Sequence, residues 1–412
     1  MPKQIQNGSF LPLSETPNET AELLLEDIGE LGDTLAEFEG KYINVFGGIP
    51  GEKVLCRIVR YRRRRRAIVS AIVLDVLKSS PYRISVPCQY FASCSGCQWQ
   101  HIDYKYQLKL KRDLIKRALR TYGELADLQV SCTIPSKNIF GYRNHARFTV
   151  RDQGSLGFVN RITKRFVKID TCKLMAPWIN KAVKNLQQLC SSTSQLSIRY
   201  GVNTDDWLIQ PKIDNDEIEL ETGQPYYNEQ LFDRKFQISS PSFFQVNTVQ
   251  AETLIRLVKS RLELTGEETL VDAYAGVGTF AALLAGQVKK VIAIEESYAA
   301  TKDAVKNTDG IKNLEIKIGK VEEIVNDFRE TPTVVLLDPS RNGCELNVLE
   351  AISRWQPDRV LYVSCDPKSL ARDLSILVKN GLMVQSVDPV DMFPQTYHVE
   401  SVSVLKSIRI PK

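Results

Sequence analysis

The stretch TLVDAYAGVGTFAALL, residues 269–284, decides the fold. Its apolar opening predicts a buried strand at 269–271, and its close, at 280–284, opens a helix. Between them Gly276 and Gly278 carry no Cβ, so the backbone can turn tightly and approach a ligand closely. Working outward, the same alternation recurs. An amphipathic helix at 251–264 places Leu254, Leu257, Val258 and Leu262 on one face. Downstream come a strand at 291–294, a helix at 301–307 and apolar runs of strand length at 333–337 and 359–363. Strands alternating with helices imply a mostly parallel sheet. Residues 241–412 are therefore read as an α/β, Rossmann-like domain whose site lies beyond the carboxyl ends of its strands.

Those strand ends carry chemistry. Glu295 ends the strand at 291–294, where a carboxylate can accept hydrogen bonds from both ribose hydroxyls of a nucleoside cofactor. The glycines alone leave the cofactor open. Gly276-x-Gly278-x-x-Ala281 also fits the dinucleotide fingerprint of an NAD oxidoreductase, and a tight turn without a ligand is the plain alternative. The run at 333–337 leads into Asp338-Pro339-Ser340-Arg341, where proline holds the backbone extended and Asp338 faces the crevice. The run at 359–363 leads into Ser364-Cys365-Asp366-Pro367. Most free cysteines are small buried hydrophobes. The turn position of Cys365 and the matching Asp338 at the neighbouring strand end favour a nucleophile instead. Glu400 precedes a last apolar strand at 401–408, a position that a plain surface carboxylate fills equally well; His398 is given no catalytic role.

One reaction uses all these pieces. Uracil C5 is a poor nucleophile. A thiolate added at C6 makes an enolate across C5, C4 and O4, and C5 then takes a methyl group from a sulfonium. A base must afterwards remove the C5 proton. The chemistry needs one cysteine, one general base and S-adenosylmethionine: Cys365, Glu400 and the Gly276/Gly278 loop. The target base must leave its stack. Three other readings stand beside it: methylation of cytosine C5, a non-catalytic RNA-binding or RNA-folding protein, and an NAD oxidoreductase. The last leaves Cys365 and Glu400 without a role.

The amino-terminal half reads differently. Residues 1–21 are polar and are read as a flexible lead-in. Residues 22–79 read as short strands around turn clusters, which suggests a small β-barrel. Residues 60–66 read RYRRRRR, and a second basic stretch spans 105–120. The net charge is only +5, so these local concentrations rather than the total point to a phosphate backbone. Tyr61 among the arginines suits a base-stacking platform in such a barrel. Residues 80–240 form a central α+β region with a helix at 104–119. Of nine cysteines, Cys88, Cys94 and Cys97 form a tight trio with Cys172 distant. An odd number of cysteines without an export signal argues against a disulfide framework. The spacing is closer to an iron–sulfur site than to paired zinc ligands, with zinc the alternative. No apolar run is long enough to cross a membrane, so the expectation is a cytoplasmic, monomeric protein that works on RNA.

Taken in order, these motifs resemble the RNA 5-methyluridine methyltransferase family over about residues 22–412. The segment with Gly48-x-Pro50-Gly51 looks like a TRAM domain, an OB-type RNA-binding module. Cys88 to Cys97 followed by Gln98-Trp99-Gln100-His101 resembles the segment that holds a 4Fe-4S cluster in larger members. Tyr142-Arg143-Asn144 resembles a motif near the RNA site. Phe244-Gln245-Val246-Asn247 resembles the cofactor-contacting stretch, so the resemblance implies that Gln245, Tyr274, Thr279, Glu295 and Asp338 hold S-adenosylmethionine. Ser364-Cys365-Asp366-Pro367 matches the nucleophile motif and His398-Val399-Glu400 the proton-abstracting one. The implied substrate is a uridine in 23S ribosomal RNA, or in transfer RNA. Two positions depart: Ala275 stands where the family often has cysteine, and Lys320 where it often places Asn or Asp beside the adenine. Lys320 cannot accept a hydrogen bond, so no adenine contact is assigned there.

Overall fold

The computed structural model describes residues 19–63, 66–161, 163–328 and 330–408, and of residues 61–66 it describes no side chain. The proposed stacking platform at Tyr61 and the run at 62–66 thus lie outside the described residues. The chain divides into two compact units. The first runs to Leu110 and includes Gln395–Tyr397; the second holds Lys111–Pro394 and the chain from His398.

In the first unit, six strands (Thr20–Leu24, Asp27–Ile28, Thr34–Phe38, Lys41–Phe46, Lys53–Arg63 and Arg66–Lys78) form one sheet. Lys53–Arg63 and Arg66–Lys78 make its long antiparallel hairpin, and Lys41–Phe46 runs parallel to the latter. Thr20–Leu24 and Asp27–Ile28 stand at the two ends of its strand order, and a closed barrel is not shown among the described residues. Leu23, Val45, Val54, Cys56 and Ala71 are buried at its core. Glu52 is fully buried there and accepts from Ile49 N, Ser80 N and the Nε and Nη2 of Arg83, which ties the turn after Phe46 to the segment after Lys78. The first arginine of the basic run is already engaged: Arg60 pairs with Glu19 at 3.0 Å and Glu39 at 2.8 Å.

The second unit contains two main sheets. A five-stranded antiparallel sheet runs in the order Trp207–Gln210, Gln195–Tyr200, His145–Arg151, Ser155–Val159, Phe166–Lys168. Helix Pro177–Leu186 packs on it through Ile179, Ala182, Val183 and Leu186, one face of the helical repeat. The seven-stranded sheet runs Leu314–Ile318, Lys290–Glu295, Thr269–Ala273, Val334–Leu337, Arg359–Ser364, Glu400–Ser407, Leu382–Val390. Its first five strands are parallel, and Glu400–Ser407 runs antiparallel between Arg359–Ser364 and Leu382–Val390. Alternate side chains face opposite ways, and here both faces are covered. Leu270, Leu336, Leu361 and Val402 join one core with helix Thr248–Leu262. Val271, Val335, Val360 and Tyr362 join the other with helices Leu346–Trp355 and Pro367–Lys379. Burial on both faces explains why these strands read as unbroken apolar runs. The α/β, parallel-rich fold expected from residues 269–284 is the fold observed.

Tyr362 links the sheet to the helix that follows the candidate nucleophile. Its hydroxyl donates to Asp373 Oδ2 at 2.6 Å, and Asp373 also accepts from Cys344 N at 2.8 Å and Arg372 Nε at 2.7 Å. Tyr362→Phe is expected to lower unfolding free energy by about 1–2 kcal/mol, read from denaturant midpoints; an unchanged midpoint would mean that this bond adds nothing.

Candidate active site

The strand register sets the candidate residues at one height. Ala273 pairs with Ile294 on one side and with Leu337 on the other, so Tyr274, Glu295 and Asp338 follow side by side. Ser364 pairs with Ser401, and Val390 pairs with Glu400. The next residue outward from Ser364 is Cys365, and from Ser401, in the antiparallel sense, Glu400. Hairpin-like closure thus sets the thiol and the carboxylate opposite each other.

The glycine loop is shaped by its neighbours. Gly276 (φ +57°) donates its N–H to Glu295 Oε2 at 2.8 Å, while Glu295 Oε1 accepts from Ser297 N at 2.7 Å. Glu295 therefore braces the loop and retains lone pairs for a ligand. A Cβ on Gly278 (φ +80°) would stand 3.3 Å from Ala304 Cβ and Thr308 Cγ2. Thr279 begins the short helix Thr279–Leu284. Tyr274 adopts φ +68°, a strained value for a residue with a side chain. Gln245 is held through its carbonyl, which accepts from Asn144 Nδ2 at 3.1 Å. Tyr142-Arg143-Asn144 thus acts first on the protein's own backbone.

Carboxylates crowd the crevice. Asp272, not singled out from sequence, is fully buried, and neither oxygen meets a donor in hydrogen-bonding geometry. Burial, with the Asp338 charge, pushes it up to about 8, against a weaker pull from the Ala281 N–H. Burial pushes Asp338 up to about 7. Glu400 is raised well above the usual carboxylate range by burial and then by Asp338, and its Oε2 has no partner. The Cys365 thiol is pushed up to about 12, by burial and then by the Glu400 charge. His398 is pushed down to about 3 by burial and nearby cations, so it is neutral. Unpartnered buried carboxylates ask for a cation. The sulfonium of S-adenosylmethionine meets that requirement.

A cleft of 830 Å³ is lined by Tyr122, Arg341, Lys368 and Arg372 together with the apolar Leu346 and Leu349. Arg372 is tied down, donating to Asn342 O at 2.8 Å and Cys344 O at 3.1 Å as well as to Asp373.

The cysteines fall elsewhere. Cys88, Cys94 and Cys97 are partly exposed on a turn-rich loop of the first unit, where Phe91 N donates to Cys88 O and Gly96 N to Cys94 Sγ. Cys172 belongs to the second unit. Among the described residues, no three His, Cys, Asp or Glu side chains are grouped as a metal site.

Comparison with known proteins follows the same lines. The family described as tRNA (Uracil-5-)-methyltransferase matches residues 215–408. An uncharacterized RNA methyltransferase of Thermosynechococcus vestitus is 31% identical over 94% of this chain and 98% of its own. One from Halalkalibacterium halodurans is 30% identical over 94% and 97%. The chain belongs to this family of RNA methyltransferases. In structure it resembles the Pyrococcus abyssi tRNA (uracil-54, C5)-methyltransferase, crystallised with S-adenosyl-L-homocysteine, at a TM-score of 0.74 and 24% identity over 93% of this chain and 100% of that one. No helix among the described residues is long and apolar enough to cross a membrane.

For a methyltransferase of this family, the raised carboxylates give a pH signature. Asp338 and Asp272, near 7 and 8, are protonated in acid and then cannot attract a sulfonium. A bound cation favours their ionised forms, so binding releases protons and strengthens as pH rises. Affinity for S-adenosylmethionine is expected to rise about tenfold from pH 6 to 7.5, with a weaker trend for the uncharged S-adenosylhomocysteine. Titration calorimetry checks this; equal trends for both ligands would contradict it.

Proposed function

We propose that this enzyme methylates C5 of a specific uridine in RNA, with Cys365 as nucleophile and Glu400 as general base. The observation that carries the reading is the antiparallel register, whose last pair, Ser364–Ser401, leaves Cys365 and Glu400 as the next residues on the two strands. S-adenosylmethionine, when bound, supplies an electrophilic methyl group. Asp272, Asp338 and Glu295 would hold it, with Gln245, Tyr274, Gly276, Gly278 and Thr279 around it.

The resting thiol is protonated, because burial and Glu400 hold its pKa near 12, while Arg341 pulls the other way. Positive charge entering the crevice favours the thiolate. Cys365 Sγ, its proton passing to water, bonds to C6 of the uracil, and the C5–C6 π pair moves into the C4–O4 enolate. C5 would then take the methyl group, whose bond to the donor's sulfur breaks with the pair left on sulfur as a neutral thioether. Glu400 Oε2, buried and without a partner, takes the C5 proton. The released pair rebuilds the C5–C6 double bond and expels Sγ. A carboxylate whose pKa is raised by burial is a stronger base when ionised, which this carbon-bound proton requires.

The cleft lined by Arg341, Lys368 and Tyr122 supports an RNA substrate, since it joins cationic groups for phosphate with an aromatic face. The cysteine-rich segment favours 23S ribosomal RNA. The family description and the printed substrate of the Pyrococcus protein favour transfer RNA as a second reading. Labelled S-adenosylmethionine offered to both transcripts, followed by nucleoside analysis, separates them: 5-methyluridine is expected in one. Appearance of 5-methylcytidine would overturn the reading. Cys365→Ala is expected to reduce turnover to background with donor binding intact, and Glu400→Gln to accumulate a covalent RNA adduct on a denaturing gel. Retained turnover in the first, or no adduct in the second, would reassign the nucleophile or the base.

The 4Fe-4S cluster belongs to the same proposal and rests on the resemblance of the cysteine run. Thiolates are the donors such a cluster takes, and the trio's loop exposes its sulfurs in part. Anaerobically purified protein is expected to hold about four irons per chain, lost in Cys97→Ser. A colourless protein with stoichiometric zinc would contradict it.

A further inference from the structure

Between strand Leu382–Val390 and strand Glu400–Ser407 the chain makes an excursion that closes on the pair Val390–Glu400. Its first half is gripped in an unusual way. Three consecutive backbone carbonyls each accept from a side chain of a different distant segment. Asn247 Nδ2 donates to Met392 O at 3.1 Å, Lys111 Nζ to Phe393 O at 3.0 Å, and Tyr142 Oη to Pro394 O at 3.1 Å. All three donors are buried. Loop carbonyls ordinarily face water. Here each one is matched to a dedicated donor instead.

The grip extends further. Lys111 forms a fully buried ion pair with Asp391, whose Oδ1 also accepts from Phe393 N. Asp391 N in turn donates to Ile134 O at 3.0 Å. Burying both charges is a weak way to gain stability, because a well-packed apolar pair holds a loop as firmly. What an ion pair adds is direction. The Phe393 ring meets His398 edge-on, with centroids 6.0 Å apart, two residues ahead of Glu400. Asn247 caps helix Thr248–Leu262 by accepting from Gln250 N and stands two residues beyond Gln245.

We infer that Tyr142, Lys111 and Asn247 form a clamp on the carbonyls of residues 392–394 that positions Glu400 for proton abstraction, with Asn247 linking that loop to the Gln245 segment. These are positioning residues, and the inference rests on Glu400 being the base. A loosened clamp slows the step that Glu400 performs. It leaves donor binding and methyl transfer, which precede that step, in place. The covalent adduct therefore builds up. A merely structural bond would instead depress every step alike, without build-up of adduct.

Tyr142→Phe removes a single hydroxyl and keeps the ring, so it is the variant to measure first, beside Glu400→Gln. The double variant Lys111→Met with Asp391→Leu removes the buried pair without stranding a charge. In each clamp variant turnover is expected to fall about tenfold, with covalent adduct several-fold above wild type and the S-adenosylmethionine Kd unchanged. Wild-type turnover in Tyr142→Phe would overturn the clamp. So would slowed turnover without adduct while Glu400→Gln accumulates it; the base reading then stands alone. If Glu400→Gln itself forms no adduct, the base reading fails and the clamp falls with it.

Discussion

The pairing of strand Arg359–Ser364 with the antiparallel strand Glu400–Ser407 is the constraint on which the site depends. Five parallel strands would deliver side chains from their carboxyl ends only. Inserting one reversed strand brings the start of Glu400–Ser407 to the same edge where Arg359–Ser364 finishes. A one-residue slip would turn every side chain of that strand to the opposite face and carry Glu400 away from Cys365. The register is fixed by burial on both faces, through Val360, Leu361, Val402 and Val404, so the core's packing specifies the chemistry's geometry.

Electrostatics follow from that geometry. Parallel strand ends gather Asp272, Asp338 and Glu295, and the reversed strand adds Glu400. Burial raises Asp272, Asp338 and Glu400, the Asp338 charge adds to the rise at Asp272 and Glu400, and burial with the Glu400 charge raises the Cys365 thiol. In the resting state the site is underionised. In the proposed mechanism a cation relieves it, which couples donor occupancy to the ionisation of Cys365 and Glu400. Loss of the donor's charge on methyl transfer then removes part of that relief, which favours product exchange.

How much was legible beforehand depends on how local each signal is. The glycine loop, Glu295, Asp338 and Cys365 sit at strand ends that apolar runs and punctuating Pro and Gly mark in the sequence, and the α/β fold follows from the same runs. Asp272 was visible only as a lone charge in an apolar stretch; its missing partners are a three-dimensional fact. The reversed strand, which brings Glu400 to Cys365, leaves no mark in composition or period. Basic runs misled in part: Arg60 is spent on Glu19 and Glu39, and Lys111, inside the second basic stretch, is buried against Asp391.

The measurement that tests the central claim most directly is peptide mapping after incubation with S-adenosylmethionine and a substrate transcript carrying 5-fluorouridine. Fluorine at C5 cannot be removed as a proton, so the covalent complex should persist. The expected result is an RNA adduct on the peptide that contains Cys365. An adduct on Cys344 or Cys132, or none while the ordinary transcript is methylated, would contradict the assignment of Cys365 as the nucleophile.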